Sequence, residues 1–154
     1  MTRQTALDAT MFPWLGRWTG TKGLRLMPDD AYDVSPAEAT VTRHAGGHAY
    51  EIAYAWSHEG EPQEGLLVLS EGEAPGAIEA LWVDTWHQKP QAMRLTGVLD
   101  AEGAASVEGA YGTEAGWRIR LGATPEGLLL AMDNLMEGLD YQVVEASFAR
   151  SAAG

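Results

Sequence analysis

Past residue 14 the chain takes up one period and keeps it. Ten short runs follow one another in which apolar and polar residues tend to alternate: Leu15–Leu26, Ala39–Ala45, His48–Ser57, Gly65–Ser70, Ile78–Trp86, Ala92–Asp100, Ala105–Tyr111, Gly116–Ala123, Gly127–Leu135 and Tyr141–Arg150. Side chains of a strand point alternately to its two faces, so each run reads as a β-strand. The segments between them are polar and rich in Gly and Pro, and none has the pattern of a crossover helix of about ten residues, so neighbours in sequence must pair antiparallel. A meander of this length either splits into a sandwich or closes, and closure removes the exposed edges. The expected fold is all-β, an antiparallel meander closing into a roughly ten-stranded barrel. A barrel wider than about eight strands encloses space that its own side chains do not fill.

Before the first strand, TRQTALDATMFPWLG has room for one short helix, with Gln4 or Thr5 near its start, Asp8 in its first turn and Pro13 cutting it off. Gly46-Gly47 lies between two strand runs, where both residues can take the positive φ of a tight hairpin. No long linker interrupts the pattern, so residues 1–154 read as a single domain. Cysteine is absent, which excludes disulfides, a cysteine nucleophile and thiolate metal sites. The 22 acidic against 10 basic residues give a net charge of -12, which repels polyanions. Neither nucleic acid nor an anionic membrane is expected as a partner. No run of about 18 apolar residues occurs, and a cytoplasmic location is expected.

The stretch Trp82-Val83-Asp84-Thr85-Trp86 carries the most information about function. In a strand, Trp82, Asp84 and Trp86 share one face with Ile78 and Ala80, so two large rings flank a carboxylate. That composition suits neither a solvated wall nor a dry core, because an unpaired buried carboxylate is costly. It suits a lined cavity. In the third strand Tyr50, Ile52, Tyr54 and Trp56 share a face, and in the ninth Leu128, Leu130, Met132 and Asn134 do. Apolar walls with a few convergent polar groups are the composition of a small-molecule pocket. Trp56, Trp82, Trp86, Met93 and Met132 are expected to supply walls for an apolar or aromatic ligand. Tyr54, Asp84 and one of Arg118 or Arg120 are expected to orient its polar atoms. Asp84 needs an answering cation, and Arg118, Arg120, Lys22 and Arg94 are available.

Trp86 and His87 are expected at the mouth of the cavity, with Lys89-Pro90 opening the connection to the sixth strand. His44 and His48 flank the glycine turn and can meet across it, but two histidines fall short of a zinc site, so no metal is expected. No phosphate-binding loop, GxGxxG, HExxH or GxSxG motif is present. Two further readings stay open. One is a small cavity enzyme of isomerase or lyase type with Asp84 or Glu145 as acid or base. The other is an interaction protein, a homodimer or larger homo-oligomer, with Arg118 and Arg120 on its outer face.

The segments FPWLGRWTG, the glycine turn, Trp82-Val83-Asp84 and the closing Glu145-Ala146-Ser147-Phe148-Ala149-Arg150 together resemble a bacterial family of calycin, or lipocalin-like, proteins that is distantly similar to nitrobindin. The resemblance spans nearly the whole chain. It implies a barrel, with Gly16 and Trp18 in structural positions where the tryptophan closes the barrel floor. Nitrobindin holds haem through a histidine late in its chain, whereas this chain has no histidine after His87 and offers Tyr141, Glu145 and Arg150 in its last strand. Haem is therefore not expected, and no cofactor is assigned.

Overall fold

The structure is a computed structural model and describes residues 4–151. A short helix, α1 (Ala6–Met11), runs into a 3-10 turn over Phe12–Trp14 that contains Pro13. Ten strands follow: β1 (Gly16–Leu24), β2 (Asp33–His44), β3 (Ala49–His58), β4 (Glu61–Glu71), β5 (Ala77–Asp84), β6 (Gln88–Leu99), β7 (Ala105–Ala110), β8 (Ala115–Ala123), β9 (Gly127–Met136) and β10 (Leu139–Arg150). Each pairs antiparallel with its sequence neighbours, and β1 pairs antiparallel with β10. The sheet is a closed barrel, as the strand count and short connections require.

Three strands, β2, β4 and β6, start well before their apolar patterns, and each takes in a proline. Pro36 lies inside β2 but before Glu38, where pairing with β3 begins, so only β1 bonds to that stretch. Lys89-Pro90 lies within β6 rather than in the connection before it. There β6 has not yet met β7, which pairs only from Thr96, and the β5–β6 register shifts between Trp82 and Asp84. A residue without an N–H is tolerated where the ladder does not call on it. The β2–β3 connection is longer than a two-residue turn: Ala45, Gly46 and Gly47 all have positive φ, at 51°, 68° and 96°. Its histidines do not meet, since His44 faces Glu51 and His48 faces Glu71.

Helix α1 closes the end of the barrel where β2 meets β3. The Thr5 side chain caps it by accepting from the Asp8 backbone N–H, and Leu7 and Met11 are buried in the core. Asp8 fixes the docking: Arg43 Nε donates to it at 2.8 Å and the Tyr50 hydroxyl at 2.5 Å. The hydrogen bonds from Arg43 and then Tyr50 hold the Asp8 carboxyl down at about 2. That carboxylate contributes stability in full above pH 4 or so, and the contribution is lost as pH falls toward about 2. Asp8→Asn is expected to lower the melting temperature at neutral pH and to flatten its decline between about pH 4 and pH 2, followed by circular dichroism. An unchanged acid limb would show that α1 is held by its apolar face alone.

Beside the helix, the entry to the first strand and the end of the last are tied together. The buried Trp18 ring donates from Nε1 to the Trp14 carbonyl at 2.9 Å, and the Arg150 guanidinium lies 4.3 Å from the Trp18 ring. Arg150 also donates to the carbonyls of Leu15 and Pro13, so the last strand holds the entry to the first. Gly16, at φ 114°, passes close under Arg150.

Candidate functional site

At the end of the barrel opposite α1, a cavity of about 330 Å³ is lined by Leu26, Trp82, His87, Gln88, Met93, Tyr111, Trp117, Asn134, Tyr141 and Val143. The alternation on β5, β6 and β8 turns Trp82, Met93 and Trp117 inward. Trp82 and Trp117 stack, 5.5 Å between centroids and 6° from parallel, to form a flat aromatic wall. The rim is polar and satisfies itself. The Tyr111 hydroxyl donates to Asn134, Asn134 Nδ2 donates to the Tyr141 hydroxyl at 3.2 Å, and Tyr141 donates to the Leu26 carbonyl at 2.9 Å. Val143 reaches the cavity because β10 bulges between Gln142 and Val144, which lets Val143 and Val144 both be buried.

Behind this cavity lies a second polar group, separated from it by Trp82 and His87. Asp84 is 1% exposed and accepts three hydrogen bonds: from the Tyr54 hydroxyl at 2.5 Å, from the Trp86 backbone N–H at 2.7 Å and from the His87 backbone N–H at 2.9 Å. The two backbone bonds form an Asx-type turn that ends β5 and swings His87 inward. Trp82 Nε1 donates to the Tyr54 hydroxyl at 2.9 Å, so the ring, the phenol and the carboxylate form one chain. Tyr54 lies over Gly65 on β4, where a Cβ would sit only 2.2 Å from the ring. Burial, and then the Asp84 charge, raise the Tyr54 phenol well above its ordinary value.

Lys22, on β1, is the cation of this group and is 2% exposed. Its Nζ has no hydrogen-bond partner and sits 3.3 Å from the Trp56 ring centroid. A desolvated cation over an indole face gains about 2 kcal/mol. Burial pulls the Lys22 ammonium down to about 7, against the opposing pull of Asp84. His87 stacks against Trp56 at 6.2 Å and lies 5.3 Å from Trp117. Burial and the Lys22 charge lower His87 to about 4, so its imidazole is neutral at physiological pH.

The structure brings together Tyr54, Trp56, Trp82, Asp84 and Met93 inside the barrel, with Met132 buried nearby in the core. Trp86 is at the mouth, 36% exposed and 4.3 Å from His58. His87 is not a rim residue beside it but an inner wall. Arg118 and Arg120 do not face the cavity. They alternate with the buried Trp117, Ile119 and Leu121, so they lie on the outer wall, where both donate to Asp133. Glu145 is also exposed on the outer face, where it accepts from Gln142, and has no access to the lumen as an acid or base. Lys22 takes the place expected of an arginine because an ammonium on an inward position of β1 reaches the interior without crossing the wall.

No family model matches the chain, and the search of curated proteins gives no match. Among solved structures, the crystal structure of Rv2717c from M. tuberculosis superposes with a TM-score of 0.65, covering 96% of this chain and 98% of that one at 16% identity. That likeness is one of fold alone. It extends over nearly the whole length of both chains. Among the described residues, no helix is long and apolar enough to cross a membrane.

Proposed function

We propose that the protein binds a small, largely apolar or aromatic molecule in the cavity at the open end of its barrel. The observation that carries this reading is the stacked pair Trp82 and Trp117 facing a space of about 330 Å³, with Met93 and Val143 as its flexible and aliphatic walls. A flat ring laid along that wall removes apolar surface from water on both partners, and the rim of Tyr111, Asn134 and Tyr141 has polar edges for a ligand's outer end. Asp84 is fully engaged by Tyr54 and the turn it caps, so it serves this reading as the post that fixes Trp82 and His87.

Neutral N-phenyl-1-naphthylamine is the probe for this reading. Its fluorescence is expected to rise on saturable one-to-one binding, and Met93→Trp, which fills the cavity from within, is expected to abolish the rise. A signal that never saturates, or that Met93→Trp leaves intact, would place binding elsewhere.

A further inference from the structure

The buried polar atoms that lack a partner are of one kind. Among the described residues they are Lys22 Nζ, Trp56 Nε1, Trp117 Nε1, His87 Nε2 and His58 Nδ1, all of them nitrogen. His58 Nδ1, at the mouth beside Trp56 and Trp86, lies 3.5 Å from an Asp33 carboxylate oxygen. The other four belong to one run of neighbouring groups: Lys22 on the Trp56 face, His87 stacked on Trp56, and His87 beside Trp117. An indole nitrogen and an ammonium can only donate. The buried acceptor among them, Asp84, already has its three donors, and no nitrogen–oxygen distance of 4.0 Å or less joins it to Lys22. The interior therefore holds donor capacity that the protein itself does not use, beside an ammonium that Asp84 balances only at a distance.

Leaving a buried donor unmade costs free energy that a matched partner restores. An apolar molecule fills the cavity but leaves these donors as they are. A molecule with an oxyanion at one end fills the cavity and also brings negative charge toward them. Two of the four side chains, His87 and Trp117, line the cavity itself, and Lys22 is behind His87. The net charge of -12 makes the surface as a whole repel anions, so attraction for an anionic head has to come from Lys22.

Resting on the cavity reading above, we infer that the ligand is an amphiphilic organic monoanion, a flat apolar body ending in a carboxylate or an equivalent oxyanion. The body lies along Trp82 and Trp117, and the head lies at the inner end of the cavity beside His87, where the ammonium of Lys22 behind that ring attracts it electrostatically. Lys22 then acts as the residue that selects charge.

The test compares 1-naphthoate with 1-naphthamide, which keeps the size and shape and removes the charge, by calorimetry at about pH 6, where Lys22 carries its proton. The wild-type protein is expected to bind the carboxylate at least about ten-fold more tightly than the amide. Lys22→Met is expected to erase that preference by weakening the carboxylate about ten-fold. Equal affinities in the wild type, or a preference that survives Lys22→Met, would overturn the inference while leaving the cavity reading in place. If N-phenyl-1-naphthylamine, the amide and the carboxylate all fail to bind, the cavity reading falls and the inference with it. Should Lys22→Met not fold, the wild type decides. The chain has two lysines, Lys22 and Lys89, so each ε-methylene is assignable by NMR. The carboxylate, and not the amide, is expected to move the Lys22 titration upward, and an unmoved titration would sink the idea.

Discussion

Trp82→Ala is expected to cost about 3 to 5 kcal/mol of folding stability, the largest loss anticipated from any one truncation on β5. The ring is 1% exposed and stacks on Trp117, so its removal opens a void beside a neighbour that cannot follow it inward. It also removes the Nε1–H that donates to Tyr54, leaving that hydroxyl with Asp84 as its sole side-chain partner. Cavity and lost hydrogen bond add in the same direction. The control is Leu81, the next residue back, which faces outward at 52% exposed. Leu81→Ala is expected to change stability by no more than about 0.5 kcal/mol. Urea unfolding followed by far-UV circular dichroism separates the two. Similar midpoints for both variants would mean that the β5 phase is reversed.

That phase was readable from the sequence because ring size decides it. Two indoles and two phenols at alternate positions of β3 and β5 cannot all face water, and the small residues opposite them can. The barrel itself followed from the number of runs and the brevity of their links. Arg118 and Arg120 were not readable in the same way, although the alternation of Trp117, Ile119 and Leu121 places them outside. Their partner Asp133 is buried at 3% by the two guanidiniums that cover it, so a polar residue on an outer position looks like an interior one. His87 was hidden for a different reason. Strand periodicity stops at Asp84, and its carboxylate bends the following backbone back into the barrel. Beyond the last residue of a strand, alternation no longer says which way a side chain points.

Lys22 shares its phase with Trp18 and Leu24, both buried, and the sequence holds that information. What alternation withholds is whether a lysine at such a position snorkels out or stays in. Here β1 is paired on both sides and the Lys22 Nζ meets the Trp56 face instead of water. The consequence is a distinctive pH dependence. The folded state releases the Lys22 proton near pH 7, whereas the unfolded chain keeps it to 10.5. Below about pH 7 both states are protonated and the full penalty of the buried ammonium is present; above it the unfolded state binds more protons, so stability must rise with pH.

Between about pH 7 and pH 9.5 the wild-type protein is therefore expected to gain on the order of 3 kcal/mol, approaching 1.4 kcal/mol per pH unit. The groups facing Lys22 do not mask this. Asp84 is engaged by its three hydrogen bonds, His87 is lowered to about 4, and Tyr54 is raised well above its ordinary value. Tyr50, pushed up to about 12, opposes the trend only at higher pH. Lys22→Met keeps the length of the side chain and removes the charge, so it is expected to flatten the curve and to be more stable than wild type at about pH 6 by about 1 to 4 kcal/mol. Urea unfolding at three pH values in this window decides the matter. A flat wild-type curve would place the ammonium in contact with water, and a Lys22→Met protein less stable than wild type at pH 6 or so would mean that Asp84 depends on Lys22 more than on Tyr54 and its two backbone donors.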